Sequence, residues 1–172
     1  LKVKEAVKKR QASLVTVETL QPAIDTLSNI TNLALQHFPT HPAQFGNTVL
    51  GVTKAVLEAN LVDAAVAQQA PAFVQRLTSA LQGTSWEALE AATGQSRAQW
   101  AEAANILAKA NRLVILVGNG VLRHPGGDAT VTNLLDLLIL LGKLDKPGCG
   151  LGPLAEENND QGAVEMGAVA EF

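Results

Sequence analysis

Tyrosine is absent from this chain, and cysteine and methionine occur once each. The lone thiol, Cys149, excludes an internal disulfide, a cysteine-ligated iron–sulfur cluster and a CxxC zinc site within these residues. Aromatic side chains make up 3% of the residues against 47% hydrophobic ones, so a core has to be built from Leu, Val, Ile and Ala. The same shortage, with a formal charge of −3, leaves neither a basic groove nor stacking platforms for bases, and no nucleic-acid partner is expected. The most apolar run, residues 134–141, is interrupted by Asp136. It falls short of the about 20 residues that a membrane-crossing helix needs, so no direct membrane insertion is expected. Walker-type, HExxH and GxSxG motifs are missing too. The chain opens without Met or a signal-peptide pattern, on Leu1, Val3, Ala6 and Val7 at helical spacing with no cap before them. That beginning reads as the middle of a helix, and we expect a piece of a longer chain.

What is present reads as one domain, since 172 residues suffice for a single buried core. Charge is uneven: "LKVKEAVKKR" carries five basic residues against Glu5, whereas everything after Lys146 is acidic or neutral. The plain reading is a solvated helix face and an acidic tail. "SLVTVE" (13–18) and "LALQHF" (33–38) suit strands, the first buried on both faces. Pro42 opens a helix in which Phe45, Val49, Val52 and Val56 form one apolar stripe. Pro71 opens another, with Phe73, Leu77 and Leu81 on one side and Gly83 at its end. Capping boxes are expected from Thr84 to Glu87 and from Ser96 to Gln99, the second leading a helix that carries Trp100, Ala104 and Leu107 inward. "LVILV" (113–117) is apolar at every position, as a central parallel strand covered on both faces would be. A last helix is expected from about Asp128 to Leu141, stopped by Gly142. Strands alternating with helices define an α/β domain with a mostly parallel sheet flanked by helices.

Few residues carry chemistry. "GNG" at Gly118, Asn119 and Gly120 follows a strand as a dinucleotide-binding turn does, but Arg123 stands where the third glycine belongs, and a tight turn without ligand is the better reading. His37, His41 and His124 fall in or beside loops after strands, where ligands of α/β sheets bind, yet no acidic residue keeps ligand spacing to them. Cys149, between two glycines, is a turn residue unless a cation or helix terminus activates it. Asp136 either faces the wet side of its helix or pairs with a cation across an interface. The stretch "PGCGLGPLAEENNDQGAVEMG" (147–167) concentrates glycine, amide and carboxylate groups, and residues 147–172 read as an extended polar loop and tail. Its hydrogen-bonding groups need partners in a ligand, in neighbouring backbone or in another protein surface.

"LKVKEAVKKR", "RLVILVGNG", "LLDLLILLGKLDKPGCGLGPL" and "ENNDQGAVEMGAV" occur here in the order in which the molybdopterin oxidoreductase superfamily sets similar blocks. The chain resembles the nucleotide-binding middle region of that superfamily from end to end. The resemblance implies a three-layer, Rossmann-like α/β fold and, in cofactor-bearing members, a site for the guanine dinucleotide of the molybdenum cofactor. Where the superfamily has Asp-Pro-Arg after the first strand, this chain has Glu18, Thr19 and Leu20. Its "RPGTD" segment corresponds to "FPTHP" (38–42), which loses an arginine able to grip phosphate in a bidentate fashion.

Eroded motifs of this kind are similar to one cofactor-free branch of the superfamily, found in the proton-pumping NADH–quinone oxidoreductase of the respiratory chain (respiratory complex I). That likeness implies a scaffold in the peripheral arm of a respiratory complex, on the cytoplasmic side of the inner membrane. Its partners would be the remainder of the parent chain and the other polypeptides of the complex, with the iron–sulfur clusters held by the missing part. On that reading this chain has no catalytic or metal-ligating residue and no cofactor. Glu18, Phe38, Gly118, Asn119, Gly120, Asn158, Asn159 and Gln161 are then vestigial nucleotide-site positions. Two alternatives stand beside it. One is the guanine-dinucleotide domain of a true molybdenum or tungsten oxidoreductase such as a formate dehydrogenase. The other is the adenine-nucleotide-binding central domain of a thiamine-diphosphate enzyme, which "AEAANILAKANRLVILVGNGV" resembles over residues 101–123 only. An uncovered leucine-rich helix would leave an apolar patch and self-association.

Overall fold

The computed structural model describes residues 2–18, 31–154, 162 and 165–167. Its centre is the predicted stripe: Phe45, Val49, Val52 and Val56 are all buried on one helix, α2 (Phe45–Glu58). Around α2 pack α5 (Trp86–Thr93), α6 (Arg97–Lys109) and α8 (Gly127–Leu140). Leu137, Leu138 and Leu140 of α8 meet Val52 and Val56 in a core that also holds Trp100, Ala103 and Ala104 of α6. Two shorter helices, α3 (Ala64–Gln69) and α4 (Pro71–Gln82), lie beside the same core, α4 packing on it through Phe73, Val74 and Leu77. Before them comes α1 (Lys2–Arg10), with no buried residue.

The strands are short and parallel. β1 (Val15–Glu18) pairs with β2 (Gln36–Pro39), and β3 (Val114–Gly118) with β4 (Gly150–Leu154). Among the described residues these are two two-stranded sheets rather than one continuous sheet, which keeps the expected α/β class and parallel pairing. A four-residue helix, α7 (Asn119–Leu122), separates β3 from α8.

Several expectations need correction. β4 lies inside the stretch read as an extended loop. Its sequence, Gly-Leu-Gly-Pro-Leu, has no β-branched residue, so only tertiary pairing with β3 makes it a strand. Val114 is 59% and Leu116 50% exposed, so β3 is covered on the Val117 face alone within the described residues. β1 likewise buries Thr16 but leaves Val17 exposed. The cap of α5 is Ser85, whose hydroxyl accepts from the Ala88 amide, not Thr84. The two hydroxyls are adjacent, and the spacing to Glu87 favoured the wrong one. The Ser96 and Gln99 box forms as expected, with both reciprocal bonds present.

The leucine-rich helix is not the uncovered element: Leu137, Leu138 and Leu140 are buried under α2, and the apolar surface lies instead on the exposed face of β3, opposite Gly150 and Gly152 in register. Produced by itself, the 172-residue chain is expected to self-associate at high concentration through this face, and Leu116→Lys to reduce the association. Light scattering decides the matter, because a monomer at every concentration would remove the prediction.

Candidate functional site

In parallel α/β units, ligands collect beyond the carboxyl ends of the strands, where the following helices begin. Here the chain leaves β2 through Thr40 and His41, makes a single 3-10 turn (Pro42–Gln44), and enters α2. It leaves β3 through α7 and a turn at Pro125 and Gly126, and enters α8. These two exits face each other across an open cavity of about 160 Å³. Pro42, Ala43 and the first turn of α2 form one wall, and Val121, His124 and the first turn of α8 form the other.

The two helix starts share a property. Neither Gln44 ahead of α2 nor Gly126 ahead of α8 supplies a side-chain cap, as Ala70 ahead of α4 does not either, whereas Asp63, Ser85 and Ser96 cap α3, α5 and α6. The leading amides of Phe45 and Gly127 reach back to the Pro42 and His124 carbonyls. The rest of each first turn keeps its N–H groups clear of any capping side chain, and the positive ends of two 14-residue helices border one cavity. Asn133 and Asn47 add amides to the lining, Asn47 also donating to the Gln44 side chain at 2.5 Å. Glycine permits the shape. Gly126 adopts φ +84°, which side chains resist, and a Cβ on Gly46 would stand 3.3 Å from the Thr130 hydroxyl of α8. This is a phosphate-sized, donor-lined cleft. It is smaller than the roughly 300 Å³ at which whole-ligand pockets begin, so it suits the phosphates of a nucleotide and not its entire body.

The residues singled out from sequence scatter around this cleft. Gly118 and Gly120 have open space where a Cβ would go, and with Asn119 they carry the chain from β3 into α7; none of the three lines the cavity, which the chain first reaches at Val121. Glu18 ends β1 beside Pro39, on the same strand-end edge, and its carboxylate accepts from the Thr31 hydroxyl at 3.1 Å. Phe38 is fully buried in the core, so the position holds packing and not a ligand contact. Asn158, Asn159 and Gln161 lie outside the described residues.

The histidines do not meet. His124 lines the cavity, and its Nδ1 stands 2.7 Å from the Pro125 carbonyl oxygen. His41 uses its Nδ1 to accept from the Ala43 amide, as an N-cap of the 3-10 turn. His37 belongs to β2, with Nδ1 2.9 Å from the Thr16 hydroxyl. No group of three or more His, Cys, Asp or Glu side chains able to hold a metal occurs among the described residues. Cys149 accepts from the Leu113 amide at 3.4 Å in the turn before β4, a structural position. Asp136 is half-buried on α8. The pair of uncapped helix starts escaped the sequence reading. Part of the signal was available: Gln44 is not among the residues that cap helices well, and Gly126, though common at that position, has no side chain with which to satisfy the first amides.

Fold and site together define an α/β domain with an open cleft beyond its strand ends. The chain is a member of the molybdopterin oxidoreductase family, whose model matches residues 2–171. It is similar to formate dehydrogenase H of Escherichia coli (strain K12), with 35% identity over 114 residues, which is 66% of this chain and 16% of that protein. It is also 27% identical over 150 residues to the F420-dependent formate dehydrogenase 1 subunit alpha of Methanococcus maripaludis, covering 87% of this chain and 22% of the relative. To the NADPH-Fe(3+) oxidoreductase subunit alpha of Geobacter sulfurreducens it is 28% identical over 166 residues, covering 96% and 19%. The chain thus spans roughly a fifth of the length of these relatives.

The family implies a molybdopterin cofactor. The uncapped first turns of two helices and the two asparagine amides at the cleft are the groups of this chain that would hold a phosphate of such a cofactor.

Proposed function

We propose that this chain is the nucleotide-side domain of a molybdenum or tungsten oxidoreductase of the formate dehydrogenase kind. The observation that carries the reading is the meeting of two uncapped helix starts on one cleft, in a chain that belongs to the molybdopterin oxidoreductase family. The similarity to two formate dehydrogenases favours it over the cofactor-free scaffold of NADH–quinone oxidoreductase. The thiamine-diphosphate alternative rests on residues 101–123, and a family match over residues 2–171 leaves it without independent support.

When bound, such a cofactor supplies two-electron redox chemistry at its metal. The residues of this chain hold the far end. The α2 and α8 amides orient phosphate oxygens, and the amides of Asn47 and Asn133 add neutral donors. The apolar side chains of Phe45 and Leu50 border the same cavity and limit water there. No arginine is needed for such a grip, because aligned backbone dipoles stabilise anions without one. Glu18 keeps a carboxylate at the strand-end edge where the superfamily places an aspartate.

The intact protein, purified from its own organism, should contain near-stoichiometric molybdenum or tungsten and release a guanine nucleotide on acid hydrolysis. Iron without either heavier metal, and no guanine, would favour the scaffold instead. That second reading keeps one specific support, Phe38 buried in place of the superfamily's arginine.

A further inference from the structure

The wall of the cleft that follows β2 is held by a side chain far from it in sequence. Gln95, in the turn between α5 and α6, is 3% exposed and bridges two elements. Its Oε1 accepts from the indole N–H of Trp100 at 3.0 Å. An indole nitrogen only donates, so the amide oxygen must face it and the NH2 group must point the other way. There Nε2 donates to the Thr40 hydroxyl at 2.5 Å and approaches the Pro39 carbonyl at 3.4 Å. The Thr40 hydroxyl donates in turn to the Phe38 carbonyl at 3.2 Å and lies 3.4 Å from the Thr48 hydroxyl, which donates to the Gln44 carbonyl.

Thr40, Thr48, Gln95 and Trp100 are each at most 3% exposed. Water therefore cannot replace any partner in the series. The bonds join at both ends of residues 40–44, which turn from β2 into α2 and present Pro42 and Ala43 to the cavity.

We infer that Gln95 is a positioning residue that latches residues 39–44 and so sets the orientation of the α2 helix start toward an anionic ligand. It touches no ligand itself. The affinity part of this inference rests on the nucleotide reading above; the latch does not.

The test uses the full-length protein and two readouts. Gln95→Met keeps length and apolar packing while removing both bonds, Thr40→Val removes the hydroxyl, and Thr40→Ser retains it. Backbone amides of residues 40–47 should exchange with solvent on the order of tenfold faster in Gln95→Met and Thr40→Val, with α8 unchanged. Thr40→Ser should match the unaltered protein. A control, Leu89→Ala, removes a buried side chain of α5 outside the series and should lower the melting temperature without this local effect.

In parallel, guanine nucleotide released per protein should fall severalfold in Gln95→Met and Thr40→Val but not in the control. Unchanged exchange at residues 40–47 overturns the latch. Faster exchange with full guanine content overturns its role in binding. An unaltered protein that carries no guanine overturns the nucleotide reading and with it the affinity role, and the exchange experiment still decides the latch.

Discussion

Gly51→Ala should cost the protein about 3 kcal/mol of stability, a large loss for one methyl group. The reason is the indole of Trp100. A Cβ on Gly51 would lie 2.5 Å from Cε2 and 2.7 Å from Cδ2 of that ring. The ring has nowhere to move. It is fully buried, it bonds to Gln95, and it stacks on Trp86 with centroids 5.5 Å apart. Trp86 is itself held by Glu58, which accepts its indole N–H and pairs with Arg97 at 2.8 Å. Lys54, 5.4 Å from the centroid of the Trp86 ring, donates to the Leu81 carbonyl at the end of α4. Relieving the clash therefore means separating α2 from α6 and disturbing this whole set of contacts. Thermal unfolding of the intact protein checks the outcome. An unchanged melting temperature would mean that α2 and α6 slide apart easily.

Gly127→Ala is expected to act on the cleft itself. Gly127 opens α8, and a Cβ there would fall 2.1 Å from the Val121 carbonyl oxygen and 3.0 Å from that of Leu122. Both obstacles are backbone, so α7 and α8 must part to make room. We expect a loss of about 3 kcal/mol and a collapse of the donor-lined wall. Guanine nucleotide content should fall to background, even at temperatures where the variant stays folded. Full retention of nucleotide in a folded Gly127→Ala protein would place the ligand elsewhere.

The contrast between these glycines and the rest shows how much was legible beforehand. The α2 stripe was readable because Phe45, Val49, Val52 and Val56 repeat at helical spacing, and a period survives without knowledge of the partner. The Ser96 cap was readable because both halves of its box lie within three residues. β4 was not, since glycine, proline and leucine become a strand only when β3 supplies the hydrogen bonds.

The same limit governed the site. "GNG" and Pro42 marked the two strand exits correctly, but nothing local says that those exits face one another. Phe38 was readable as a position without the arginine's grip on phosphate, but its full burial depends on α2 and α6 packing over β2, which no local pattern states. Gln95 carried no signal at all, because its meaning lies in Thr40, 55 residues away.

The tryptophan pair has an optical consequence. The chain has no tyrosine and only two tryptophans, and the two are stacked at a single junction. Its near-ultraviolet emission and circular dichroism therefore originate chiefly from one spot, where the Trp100 N–H meets Gln95. Loosening of residues 39–44 should register there as a change in the colour and ellipticity of the unlabelled 172-residue chain, without any added probe.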